Sequence, residues 1–157
     1  MFSELTAVPA ALRLPVGFVA AIPAVVVMDR VMSRLRDGTT PPSVAASVLT
    51  ETPIDRSPDR LASVVHYLAA LGTGVLFIYG SLLVEWVLGG ASVGSLAATT
   101  FGLYVLMVGF FVVVPLPRAT GLGRTRRRVV ARSWAVAAAT YLLVLVPIST
   151  ALSLGLA

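Results

Sequence analysis

Three ionisable side chains sit inside apolar stretches: Asp29 in "VVVMDRVM", His66 in "ASVVHYLAAL" and Glu85 in "SLLVEWVL". Placing a charge in such surroundings costs several kcal/mol unless it finds a partner or water, so each marks a candidate site. A carboxylate beside an imidazole holds the ring in one tautomer. Such a pair either locks two helices together by a hydrogen bond or ion pair, or relays a proton or an ion. Depth decides which of the three can meet. At about 1.5 Å per helical residue, Asp29 lies roughly 6 Å inside the Ser33–Arg34 end of its run and His66 roughly 9 Å inside Arg60. Both depths are measured from the same connection, and the two runs are consecutive, which makes them antiparallel neighbours. Asp29 and His66 are therefore expected to be able to meet. Glu85 lies at the other end of its run beside Trp86 and is expected to be an interfacial anchor.

Other chemistries are excluded by composition. The chain has no cysteine, which removes disulfides and thiolate metal sites. It has a single histidine and no lysine, which removes multi-histidine metal centres, Schiff-base catalysis and a phosphate-loop lysine. Haem ligation by His66 with Met28 or Met32 is conceivable by residue type, but no motif supports it. The run "GLGRTRRRVVAR" lacks the glycine-lysine-serine/threonine ending of a phosphate loop. No serine–histidine–acid order or paired-carboxylate spacing stands out. The expectation is a protein that is not an enzyme and holds no metal or cofactor.

The elements that carry these residues follow from hydropathy. Apolar residues make up 57% of the 157-residue chain and charged residues 12%, against about 45–50% and about 25% in soluble domains. With a mean hydropathy of +0.93, this composition predicts an all-α integral membrane protein, one four-helix bundle over residues 1–157. Runs of about 17–25 apolar residues can cross a bilayer. The predicted spans are 14–33, 60–86, 95–117 and 133–156. The first is the shortest between charges and needs Arg30 to reach back to the headgroups. No cleavable signal peptide is expected, since Glu4 and Pro9 precede the first run and its end is charged.

Orientation is read from arginines. The connection between spans one and two carries Arg34, Arg36 and Arg56, and that between three and four carries Arg118, Arg124, Arg126, Arg127 and Arg128. The connection "WVLGGASVGS" has none. Both basic loops are expected in the cytoplasm and both termini outside, with Arg13 as the one exception. The net charge of +5 then serves anchoring rather than nucleic-acid binding. Arg124, Arg126, Arg127 and Arg128 form a candidate contact for anionic lipid headgroups.

The first loop is predicted to hold a short amphipathic helix, capped by Thr40, with prolines in its first turn and Val44, Ala45, Val48 and Leu49 on one face. Ser57 is expected to cap span two ahead of Pro58 and Asp59. Small residues mark where membrane helices approach. Span one offers Gly17, Ala20 and Ala24. Span two offers Ser63, Ala69, Ala70, Thr73 and Gly80, with Gly72 and Gly74 beside them. Span three offers Gly94, Ala98, Gly102, Val105 and Gly109. These faces pack within the chain, or one of them, foremost that of span three, meets a partner subunit. Pro23 and Pro147 are expected to kink their helices.

Asp29, Arg30, Pro41, Pro42 and His66 carry a further likeness. Over the first half of the chain the sequence resembles small four-span membrane proteins of unknown function from halophilic archaea. It is distantly similar to a bacterial family of uncharacterised inner-membrane proteins. That resemblance implies a habitat and no activity. The expected role is an accessory or scaffold subunit of a membrane complex, a homo-oligomer included. The alternative is a small transporter or proton-coupled channel that uses Asp29 and His66.

Overall fold

A computed structural model describes residues 10–156, with side chains from Arg13 onward. Glu4 and Pro9, on which the reading of the N-terminal run leans, lie outside the described residues. The elements are α1 (Ala10–Met32), α2 (Thr40–Leu49), a 3₁₀ turn (Ile54–Arg56), α3 (Asp59–Leu88), α4 (Val93–Val113), α5 (Pro115–Arg118) and α6 (Arg124–Gly155). Four stretches are long and apolar enough to cross a membrane: Arg13–Met32, Asp59–Leu88, Val93–Arg118 and Arg124–Gly155.

The largest departure from the predicted bounds is α6, which starts at Arg124 rather than near Ser133. Arginine is a good helix former, so the basic run continues the helix past its apolar part. Arg127 compensates for crowding positive charge at an N-terminus by donating to the Leu122 and Ala119 carbonyls, at 3.1 and 2.9 Å. Both predicted caps are corrected. Helix α2 begins at Thr40, and Thr39 holds the cap position without a side-chain bond. The residues that would donate to a cap there, Pro41 and Pro42, have no N–H. Thr40 donates instead to Asp37 Oδ1 at 3.3 Å. Helix α3 begins at Asp59, and the Ser57 hydroxyl donates to the Ile54 carbonyl at 2.9 Å. The turn from α3 to α4 has clear local causes. Gly89 ends α3 at φ +80°, in the left-handed region. Ser92 and Ser95 then open α4 with a reciprocal capping box.

Helix α1 is the centre of the bundle and packs most closely on α6 and α3; α4 bridges α3 and α6. The α1–α6 seam is made of alanine. Ala20, Ala21 and Ala24 share one core with Ala137 and Leu145, all of them fully buried. The α1–α3 seam has a single crossing point. A Cβ on Gly17 would run into the Gly74 carbonyl and come within 2.6 Å of the Ile78 side chain. One on Gly74 would run into the Gly17 carbonyl and come within 2.8 Å of Ala21. Only two glycines allow backbones this close, which is how dispersion forces hold helices together where there is no hydrophobic drive.

The small-residue face of span three does not pack on another helix among the described residues. A Cβ at Gly102 or Gly109 would meet nothing within 4 Å, and Gly94, Ala98, Gly102 and Val105 are exposed. The inward face of α4 is Ser95, Thr99, Leu103 and Phe111, about one residue's turn away. Ser95 and Thr99 bury without penalty because each hydroxyl donates to a carbonyl of its own chain, Ser92 and Ser95, at 2.9 Å.

A second, smaller core lies at the loop end. Val44 from α2, Ile54, Phe111, Leu116 and Val130 meet there, and Ile54 N–H donates to the Thr120 carbonyl at 3.2 Å. Helix α2 is thus seated on the bundle by Val44, Ala46 and Ser47, while Leu49, placed with Val44 on one face by the sequence pattern, is 63% exposed.

Candidate functional site

Asp29 leaves α1 one turn before its end, and His66 sits two turns into α3. Their antiparallel register brings His66 Nε2 to 2.7 Å from Asp29 Oδ1. The second carboxylate oxygen accepts from the Tyr67 hydroxyl at 3.0 Å. A carboxylate only accepts, so His66 Nε2 carries the hydrogen and Nδ1 is the ring's remaining hydrogen-bonding atom. The imidazole is 9% exposed and the carboxylate 33%. Tyr67 is the member that face-by-face reading misses. It points about 100° around α3 from His66, and only its long phenol carries the hydroxyl back to Asp29. Its adjacency to His66 in the sequence was the available signal.

His66 and Pro42 each line two spaces. One is an open polar cavity of about 260 Å³, lined by Asp29, Asp59, Ser43, Ser63, His66 and Tyr67 among others. The other is a cavity of about 220 Å³ between α3 and α4, whose walls include Met107, Phe110, Phe111, Trp134 and Tyr141. Polar groups on these walls are already satisfied by backbone. Tyr141 donates to the Ala70 carbonyl at 2.6 Å, Trp134 to Met107 at 3.2 Å and Thr73 to Ala69 at 2.7 Å. Met28 lines the second cavity and Met32 the first. Among the described residues no three histidine, aspartate or glutamate side chains converge on a metal position.

At the far end of the same seam Glu85 is paired rather than a lone anchor. Arg13 donates to Glu85 Oε2 at 3.2 Å, with the two side chains 8% and 18% exposed. The residue that broke the arginine asymmetry is thereby paired with an acid at that end. Ser81, Ser149, Thr150 and Ser153 share a small pocket with the pair, beside Phe77, Ile78 and Leu96. Trp86 beside it is 81% exposed.

The basic loop residues divide by role. Arg127 is tied to loop carbonyls, and Arg126 donates to Asp37 Oδ1 at 3.0 Å, joining the two basic connections. Ser133 adds a second tie by donating to the Arg36 carbonyl at 2.7 Å. Arg124 and Arg128 are exposed. Comparison with known proteins adds no family to this geometry: no family model matches the chain, and no curated protein or solved structure does.

Proposed function

We propose that the chain is a multi-pass integral membrane protein acting as a non-catalytic accessory or scaffold subunit, joined to its partner or to a second copy through α4. The observation that carries this reading is the outward small-residue face Gly94–Ala98–Gly102, which no other helix covers among the described residues. Close backbone approach is what such faces supply between membrane helices, and α4 contributes the least buried of the four apolar stretches. In this reading both basic loops face the cytoplasm and both termini lie outside. Arg124 and Arg128 meet anionic headgroups there, and Trp86 lies in the opposite interface. The archaeal resemblance of the first half fits the same picture and adds no activity.

The chain has no cysteine, so single-cysteine variants test this cleanly. Gly102→Cys is expected to give an oxidative dimer, or an adduct with another membrane protein, in intact membranes. Leu143→Cys on exposed α6 is not. A monomer at both positions, and no copurifying partner, would sink the proposal. The same approach reads orientation: a membrane-impermeant maleimide should label Gly90→Cys in intact cells and Thr125→Cys only after permeabilisation.

One observation favours a second reading, a proton-coupled transporter. The Asp29–His66 pair is reached by a polar cavity from the loop side. Beyond His66, however, the way toward Glu85 is filled by Ala21, Phe77, Tyr141 and Leu145. Reconstituted vesicles decide it. The subunit reading expects no proton or cation flux that depends on Asp29→Asn or His66→Ala, and a loss of flux in both variants would replace it with the transporter.

A further inference from the structure

The cavity between α3 and α4 is apolar, aromatic and supplied with one hydrogen-bonding ring. Its polar wall groups other than His66 are committed to backbone carbonyls. His66 is nine-tenths buried, its Nε2 is held by Asp29, and its Nδ1 makes no hydrogen bond among the described residues. At about 220 Å³ the space is smaller than the roughly 300–1,000 Å³ that holds a drug-sized molecule. A single ring head fits a space of that size. Ala69 and Phe110 line the cavity and are themselves exposed, so a chain attached to the ring can leave past them on the outer, apolar side of the helices.

We infer that this crevice binds the head of a lipid-soluble quinone or hydroquinone, its ring among Phe110, Phe111 and Trp134 and one oxygen on His66. Flat rings stack on such walls, and Met28 and Met107 adapt to their outline. The choice of class follows from the single polar atom. A neutral His66 with hydrogen on Nε2 offers Nδ1 as an acceptor, which suits a hydroquinone hydroxyl. A charged ring offers a donor, which suits a quinone carbonyl. A simple acyl chain has no use for either. Asp29 and Tyr67 orient the ring from the polar side. The site requires no partner subunit, so its fate is independent of the α4 contact.

The test uses the full chain in detergent with decylubiquinone and its reduced hydroquinone as probes, the second carrying the hydroxyl that a neutral His66 can accept from. Trp86→Phe leaves Trp134, on the cavity wall, as the only tryptophan. Saturable quenching of its fluorescence is expected, undisturbed by excess dodecane. His66→Ala should weaken binding of the hydroquinone about tenfold, the value of one lost hydrogen bond in a buried site. Ala69→Phe, which adds bulk to the lining from an exposed position, should abolish saturation, with circular dichroism and elution volume unchanged. Quenching that rises linearly with probe, displacement by dodecane, or full affinity for the hydroquinone in either variant would overturn the inference.

Discussion

Gly74→Val is expected to destabilise the bundle by about 3 kcal/mol, the upper range for overpacking a tight interior. The added atoms have nowhere to go. The nearest neighbour is the Gly17 carbonyl, part of a helix backbone, and the next is the methyl of fully buried Ala21. Neither can rotate aside, so α1 and α3 must separate along their seam. Gly72, two residues earlier on the same helix, has nothing within 4 Å. Gly72→Val should therefore stay within about 0.5 kcal/mol of the wild type, as exposed substitutions do. Gly17→Val should behave like Gly74→Val. The double variant should cost less than their sum, because one separation of the helices relieves both clashes. Equilibrium unfolding of purified protein in mixed micelles measures all four. Equal losses for Gly72→Val and Gly74→Val would show that glycine is needed for the helix and not for the crossing.

That contrast also marks what was legible in the sequence. Four long apolar helices, their order and the α3–α4 turn follow from hydropathy and from Gly89 and Ser92. Depth counting placed Asp29 and His66 at one level, and an antiparallel seam makes them meet. Faces were less legible. Glycine and alanine occur on both sides of α3 and α4, and composition does not say whether a small residue meets a neighbour or nothing. Gly74 meets Gly17, while Gly102 and Gly109 meet none of the described residues of other elements. Tyr67 was hidden because helical-wheel reasoning treats a residue as pointing along its Cβ, and a phenol reaches across a neighbouring face. The loop ties Arg126–Asp37 and Ser133–Arg36 join segments far apart in sequence, and only a fold brings them together.

The seam between α1 and α3 is held at three levels: Asp29 with His66 and Tyr67, Gly17 on Gly74, and Arg13 with Glu85. A transporter that alternates access between these two helices would have to break a charged contact at one end in each cycle. A scaffold keeps both closed, and the Arg13–Glu85 end allows that rigidity to be measured. Glu85→Ala removes the carboxylate from a guanidinium that is 8% exposed. The expected cost is about 1.5 kcal/mol, the low end for losing one hydrogen bond to a charged group. The low end applies because Glu85 keeps an 18% exposed side chain. The double variant Arg13→Leu/Glu85→Leu should recover most of that loss, since replacing a buried pair by apolar groups of similar size is often neutral. A double-mutant cycle in the same unfolding assay gives the coupling. If Glu85→Ala costs under about 0.5 kcal/mol, the pair behaves as an exposed surface bridge, the outer end of the seam is not clamped, and the argument for a rigid α1–α3 unit loses that support.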